Sequence, residues 1–250
     1  MDIAAQNKNK KSNLVLEVIK IIAFLSMALD HLKIMGPSYF VLETPGRAAY
    51  PLFAVALAYS YSYHTRSKKS YLLRLFALGV ISQPFFALWL SGLLIKAPTW
   101  DTILSVEMTS LNILFNLLGG LFVALLFQKK RYALAVLSFL LFGAITHKFS
   151  YGAPGVLMVA ALALFFNETK SQNFHAASLY FSCALACSFV LLSTSNSSTR
   201  AIFVSSMLLS VFSLLIFNAK MELPEWRRWI YYCFYPVHLF VYWLIWLSIV

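Results

Sequence analysis

Apolar stretches long enough to cross the ~30 Å hydrocarbon core of a bilayer follow one another along almost the whole chain. They fall at 14–35, 47–64, 71–92, 109–127, 132–147, 152–167, 174–193, 200–218 and 229–249. This succession predicts an all-α polytopic membrane protein of about nine spans, within a range of eight to ten. The fifth and sixth runs are the shortest. Composition agrees: 60% of the residues are apolar and only 12% charged, about half the charged share of a soluble domain. A water-soluble fold of this size lacks the polar surface to cover so much apolar area.

The formal charge of +11 takes its meaning from where the basic residues lie. On one side of the runs are Lys8, Lys10, Lys11, Arg66, Lys68, Lys69, Arg74, Lys129, Lys130, Arg131, Lys170, Lys220, Arg227 and Arg228. On the other are Lys33, Arg47, Lys96, Lys148 and Arg200. That asymmetry predicts a cytoplasmic N-terminus and a periplasmic C-terminus. With no basic domain to carry it, nucleic-acid binding is excluded.

Residues 1–13, rich in Asn and Lys, read as a cytoplasmic tail, and 14–250 as a single transmembrane domain. The first run is too long for a cleaved signal peptide, so it is expected to stay as a signal-anchor. The connection at 93–108 is expected to lie on the outer interface, and no internal repeat suggests a transporter of inverted halves. Cys183, Cys187 and Cys233 all fall inside apolar runs and read as packing residues, so no metal is expected.

Against this apolar background, charged residues stand out, because each costs about 2.5–3.5 kcal/mol at mid-bilayer on insertion scales. The first run carries Glu17, Lys20, Asp30 and His31. Glu17 and Lys20 are three apart near the cytoplasmic end and can pair or snorkel. Lys20 and His31 share a helix face, roughly 16 Å apart along the axis. A lone histidine on an apolar helix is often only a packed residue, but Asp30 beside it favours a working site. Adjacent helical residues diverge by ~100°, so Asp30 need not touch His31.

Arg47 opens the second run after Pro45-Gly46 and reads either as a headgroup anchor or as a cation lining the cavity of His31. The last run holds Tyr235-Pro236-Val237-His238, where proline removes a backbone hydrogen bond just before an imidazole. Asn112 and Asn116 share a helix face and read first as interhelical hydrogen-bonding groups. Tyr151, in Ser150-Tyr151-Gly152, completes the polar candidates.

Six short stretches occur in one order: ALDH at 28–31, GRAAYPLFA at 46–54, the segment around Arg74, LNILF at 111–115, SYGAPGVLM at 150–158 and FYPVHL at 234–239. In these the chain resembles the F-pilin acetylation protein (TraX) family of conjugative plasmids and bacterial relatives. The resemblance implies a multi-pass protein of the bacterial inner membrane. It further implies acetylation of a pilin N-terminal amine, with acetyl-CoA as donor and a pilin-like protein as partner beside membrane lipid. More distantly, Lys20 and His31 reproduce the Arg/Lys-x10-His spacing of the acyltransferase-3 superfamily, in which the histidine is taken as catalytic. That superfamily's second arginine motif is not clearly present.

Acyl transfer is where the residues and the resemblance meet. His31, with Asp30 and Arg47, is the expected catalytic group: His31 as general base or acetyl carrier, Arg47 for the oxyanion. Lys20, Arg66, Lys69 and Arg74 are expected at the coenzyme, Arg74 above all. His238, Tyr235, Asn112 and Tyr151 are further polar candidates. Alternatives stay open: O-acetylation of a surface glycan, a proton-coupled transporter built on an Asp/His relay, or a non-catalytic pilus assembly factor.

Overall fold

The computed structural model describes residues 12–94, 99–147, 151–192, 195–217, 220–221 and 227–249. Most of the expected cytoplasmic tail, together with Lys96, Lys148 and Ser150, lies outside the described residues. Apart from one two-residue strand pair, the secondary structure of the described residues is helical. In chain order the helices are α1 (Leu14–His31), α2 (Glu43–Gly46), α3 (Ala49–Tyr59, continued by a π-turn Ser60–His64), α4 (Lys68–Leu94), α5 (Trp100–Thr109), α6 (Ile113–Gln128), α7 (Tyr132–Ile145), α8 (Gly152–Lys170), α9 (Phe174–Leu191), α10 (Ser197–Ile216) and α11 (Arg227–Ile249).

Each expected span thus coincides with a helix. Among the described residues, five of them (α4, α8, α9, α10 and α11) are long and apolar enough to cross a bilayer. Helices α6 and α7 are apolar but shorter. Helix α1 has 18 residues but carries Glu17, Lys20 and Asp30, and α3 passes into a polar π-turn. The chain is an integral membrane protein.

Local chemistry sets the boundaries. Asn13 caps α1 by accepting from Val15 N at 2.9 Å. The run expected to reach residue 35 ends as an α-helix at His31 and tightens into a 3-10 turn, Leu32–Met35. The second span begins at Ala49 rather than Arg47, which instead follows α2 as its C-cap. Asn112 caps α6, so that helix starts later than the apolar run. The 93–108 connection contains α5, capped by Thr99, with Trp100 and Leu104 exposed.

Helix α8 is the hub. It packs on α3, α6, α7 and α9, and small residues let its neighbours approach closely: Ala160, Ala161 and Ala163 are buried beside Leu162 and Phe166. Helix α1 lies on α3, and α11 lies along α4. A two-residue antiparallel pairing of β1 (Ser12–Asn13) with β2 (Lys220–Met221) ties the start of α1 to the segment before α11. The outward faces of α7, α9 and α10 expose Leu137, Leu140, Leu179, Phe189, Leu209 and Ile216, an arrangement that only a lipid solvent makes favourable.

Candidate active site

The helix ends that meet around Asn13 enclose a cavity of ≈ 530 Å³. Its polar mouth carries Asn13, Thr65, Arg66, Ser67, Ser70 and Arg74, and its apolar inner end is built by Phe24, Met27, Phe53, Leu78, Leu117 and Tyr235. Along α1 the lining runs from Asn13 to Met27, roughly 20 Å at 1.5 Å per residue. Of the expected coenzyme contacts, Lys20, Arg66 and Arg74 line this space. Lys69 does not contribute to the lining and stays exposed on α4.

Lys20 pairs with Glu17 at 3.0 Å, as their spacing predicted. The pair is not merely an anchor, because both residues face the cavity. Tyr231 of α11 donates to Glu17 Oε2 at 2.6 Å, and the Lys20 ammonium lies 5.4 Å from the Tyr231 ring centroid. Tyr231, His64 and Tyr71 are lining residues that sequence reasoning missed. The polar π-turn hinted at His64 and the tyrosine-rich start of α11 at Tyr231, while no signal marked Tyr71 in the first turn of α4.

One turn beyond the inner end of the cavity, α1 and α11 bring two imidazoles together. His31 Nδ1 and His238 Nε2 are 2.7 Å apart, and the rings are nearly parallel at 19°. Both residues are buried. His238 Nδ1 lies 2.7 Å from the Phe234 carbonyl oxygen on its own helix. Pro236, which has no N–H, interrupts the backbone ladder in this turn. On the other side, Trp89 of α4 donates its indole N–H to the His31 carbonyl at 3.1 Å, with its ring 4.5 Å from the imidazole. The cavity reaches this pair through its neighbours: Met27 precedes His31 by four residues, and the Tyr235 ring is 5.7 Å from that of His238.

Asp30 turns away from its neighbour and joins a charge cluster. It pairs with Lys33 at 3.4 Å and with Arg47 Nε at 4.0 Å, the second being an ion pair too long for a hydrogen bond. Glu43 closes the cluster through Arg47 and, at 3.8 Å, through Lys33. Two cations therefore balance two carboxylates beside His31, and Arg47 is both partly buried and held on several sides.

The remaining polar candidates link helices. Tyr151 stacks on Tyr50 with centroids 3.8 Å apart, and Tyr50 donates to Asn116 Oδ1 at 2.6 Å. Asn116 in turn donates to Thr146 Oγ1 at 3.0 Å and to the Gly152 carbonyl at 2.9 Å. Gly155 makes room for this knot: a Cβ there would lie 2.6 Å from the Tyr50 hydroxyl. Asn112 donates to the Gly79 carbonyl at 2.8 Å and to Gln83 at 3.0 Å, joining α6 to α4 just before Pro84. Asn112 thus makes interhelical hydrogen bonds of the kind expected of it.

A family model described as "TraX protein" matches residues 15–246. The chain is 27% identical over 233 residues to the probable fimbrial assembly protein FimC, serogroup H1, of Dichelobacter nodosus, covering 88% of this chain and 91% of that protein. It is 28% identical over 235 residues to protein TraX of Escherichia coli, covering 90% of this chain and 84% of that one. No solved structure matches. With the match running from the first turn of α1 into the last turn of α11, the chain belongs to the TraX protein family.

Proposed function

We propose that this protein is a membrane acetyltransferase of the bacterial inner membrane, moving an acetyl group from cytoplasmic acetyl-CoA to an amine presented at the outer face. The acceptor we favour is the N-terminal amine of a pilin-like protein. The observation that carries this reading is the cavity itself: a basic, polar mouth leading over roughly 20 Å to an apolar end beside a buried histidine pair. In this reading the chain makes nine spans, and the mouth faces the cytoplasm where the coenzyme is.

Arg66 and Arg74 at the mouth attract the coenzyme's phosphates, and Lys20 steers the donor inward. The thioester arm lies along the apolar wall towards Met27 and Tyr235. His31 acts as general base: it removes the proton from the attacking amine nitrogen as the N–C bond forms. The tetrahedral intermediate then collapses, the C–S bond breaks, and the thiolate takes a proton to leave as the free thiol. Arg47 and Lys33, held beside His31 by Asp30 and Glu43, supply positive potential for the developing oxyanion. Purified protein in liposomes with labelled acetyl-CoA inside and an acceptor peptide outside tests this. Acetylated peptide outside and free thiol inside are expected, both lost in His31→Ala; transfer at the wild-type rate by a folded His31→Ala would reject it.

The printed name of one relative, a probable fimbrial assembly protein, favours a second reading, in which this chain assists pilus assembly without catalysis. Pilus assembly restored by a His31→Ala chain that transfers no acetyl group would establish that alternative.

A further inference from the structure

We infer that His238 is the positioning residue of the site, holding His31 in the one neutral tautomer whose Nε2 carries the lone pair. The inference rests on the acetyl-transfer reading for its catalytic consequence, but not for its structural content.

A chain of heavy atoms links the Phe234 carbonyl, His238 and His31. The Phe234 carbonyl oxygen can only accept, so at 2.7 Å the His238 nitrogen facing it, Nδ1, must carry the proton. In a neutral imidazole the other nitrogen, Nε2, is then bare. It faces His31 Nδ1 at 2.7 Å, so it accepts, and the proton of the shared hydrogen bond belongs to His31 Nδ1. His31 Nε2 is therefore the unprotonated nitrogen, with no hydrogen-bond partner among the described residues. The order carbonyl–imidazole–imidazole leaves one basic nitrogen at its free end.

Packing keeps that order in place. The His238 ring is stacked on Phe234 at 4.9 Å and meets the edge of Tyr242 at 5.8 Å, so it cannot turn over without displacing aromatics on its own helix. Trp89 holds the His31 backbone by its carbonyl and covers the ring. The arrangement has a further consequence. When His31 Nε2 takes a proton, the new imidazolium remains hydrogen-bonded through Nδ1–H to a neutral acceptor, so its charge is delocalised along the pair without a buried carboxylate. Asp30, next in sequence, is turned to Lys33 and Arg47 and is not the orienting group.

The test uses the full-length chain in lipid nanodiscs, 15N-labelled at histidine, with the His31 signals assigned by their loss in His31→Ala. In the native chain His31 is expected to show a protonated Nδ1 and a bare Nε2. In His238→Ala that preference is expected to disappear. A proton on His31 Nε2 in the native chain overturns the inference whether or not the protein transfers acetyl groups. In acetyl transfer, His238→Ala is expected to lower kcat on the order of 100-fold with KM for acetyl-CoA unchanged. His238→Gln, whose side-chain oxygen can still accept from His31 Nδ1–H, is expected to recover most of the rate. Equal damage from both variants in properly folded protein, or a shared rise in KM alone, would overturn the positioning role. Normal tautomers in a chain that transfers nothing would instead count against the acetyl-transfer reading and leave the His238–His31 order standing.

Discussion

Gly46 sits against Asp30 so closely that a Cβ on the glycine would lie 2.6 Å from the Asp30 Cβ and 2.7 Å from its Cα. Backbone meets backbone there, and no flexible side chain can yield. The contact brings the end of α1 against α2, and with it sets Arg47 within reach of Asp30. Gly46→Ala is expected to push the two elements apart at a cost of about 1–3 kcal/mol. Lower thermal stability in detergent, together with reduced acetyl transfer, is the expected result. An unchanged melting curve would refute the contact.

The charge cluster makes a coupled prediction. Removing Asp30 leaves Lys33 and Arg47 sharing one carboxylate, and removing Arg47 leaves two carboxylates with Lys33. The Asp30→Asn/Arg47→Gln double variant should therefore be destabilised by less than the sum of the two single changes. A coupling of about 0.5–3 kcal/mol is expected for partners in one network. A double-mutant cycle on thermal or denaturant unfolding measures it, and strict additivity would show that the residues act independently.

How much of this was legible in the chain follows from the same residues. Helical spans were readable because hydrocarbon demands long apolar runs with internally satisfied backbones, and the helices fall where those runs do. That Lys20 and His31 share one face of α1 was readable from their spacing, and the pairing of Lys20 with Glu17 from a separation of three. The Asp30–Arg47 ion pair was not, because Arg47 returns through the short turns of residues 32–46, which no periodicity encodes. Nor was the His31–His238 bond, which joins residues 207 positions apart across a proline-interrupted turn. Sequence showed two unusual histidines; only packing of α1 on α11 shows that they meet.

The Tyr50–Asn116 knot predicts an asymmetry between its members. Tyr50→Phe removes one donor and leaves a single Asn116 lone pair unmatched. Asn116→Leu strips partners from the Tyr50 hydroxyl and the Gly152 carbonyl together, while Thr146 still donates to Phe142 O at 2.6 Å. With an unsatisfied buried polar group costing about 1–3 kcal/mol, Asn116→Leu should be the more damaging substitution. Unfolding of the two variants in the same detergent decides it.

Orientation yields to labelling. In a chain whose Cys183, Cys187 and Cys233 are replaced, a cysteine at Ser67 or Ser171 should react with an impermeant maleimide only from the cytoplasmic side. One at Thr99 should react only from outside. This pattern follows from the distribution of Lys and Arg among the connections and from the mouth of the cavity opening at Ser67. Labelling of Ser67→Cys from outside would reverse the proposed direction of transfer.

The mouth itself separates residues that sequence alone groups together. Arg66, Lys69 and Arg74 look alike as a basic loop, yet only the two arginines line the cavity while Lys69 points to the surface. Arg74 is further held in place by its Nε donating to the Ser70 carbonyl at 3.3 Å, a bond that does not use its terminal amino groups. If those groups meet a coenzyme phosphate, Arg74→Ala should weaken acetyl-CoA binding about tenfold, or ~1.4 kcal/mol. Lys69→Ala should change it by less than about threefold, since an exposed cation at a distance acts only through a screened field. Calorimetric titration of the detergent-solubilised protein at two salt concentrations distinguishes them: the Arg74 effect should persist at high salt, and that of Lys69 should vanish. Equal, fully screened losses at both positions would mean that the basic residues attract the coenzyme without touching it.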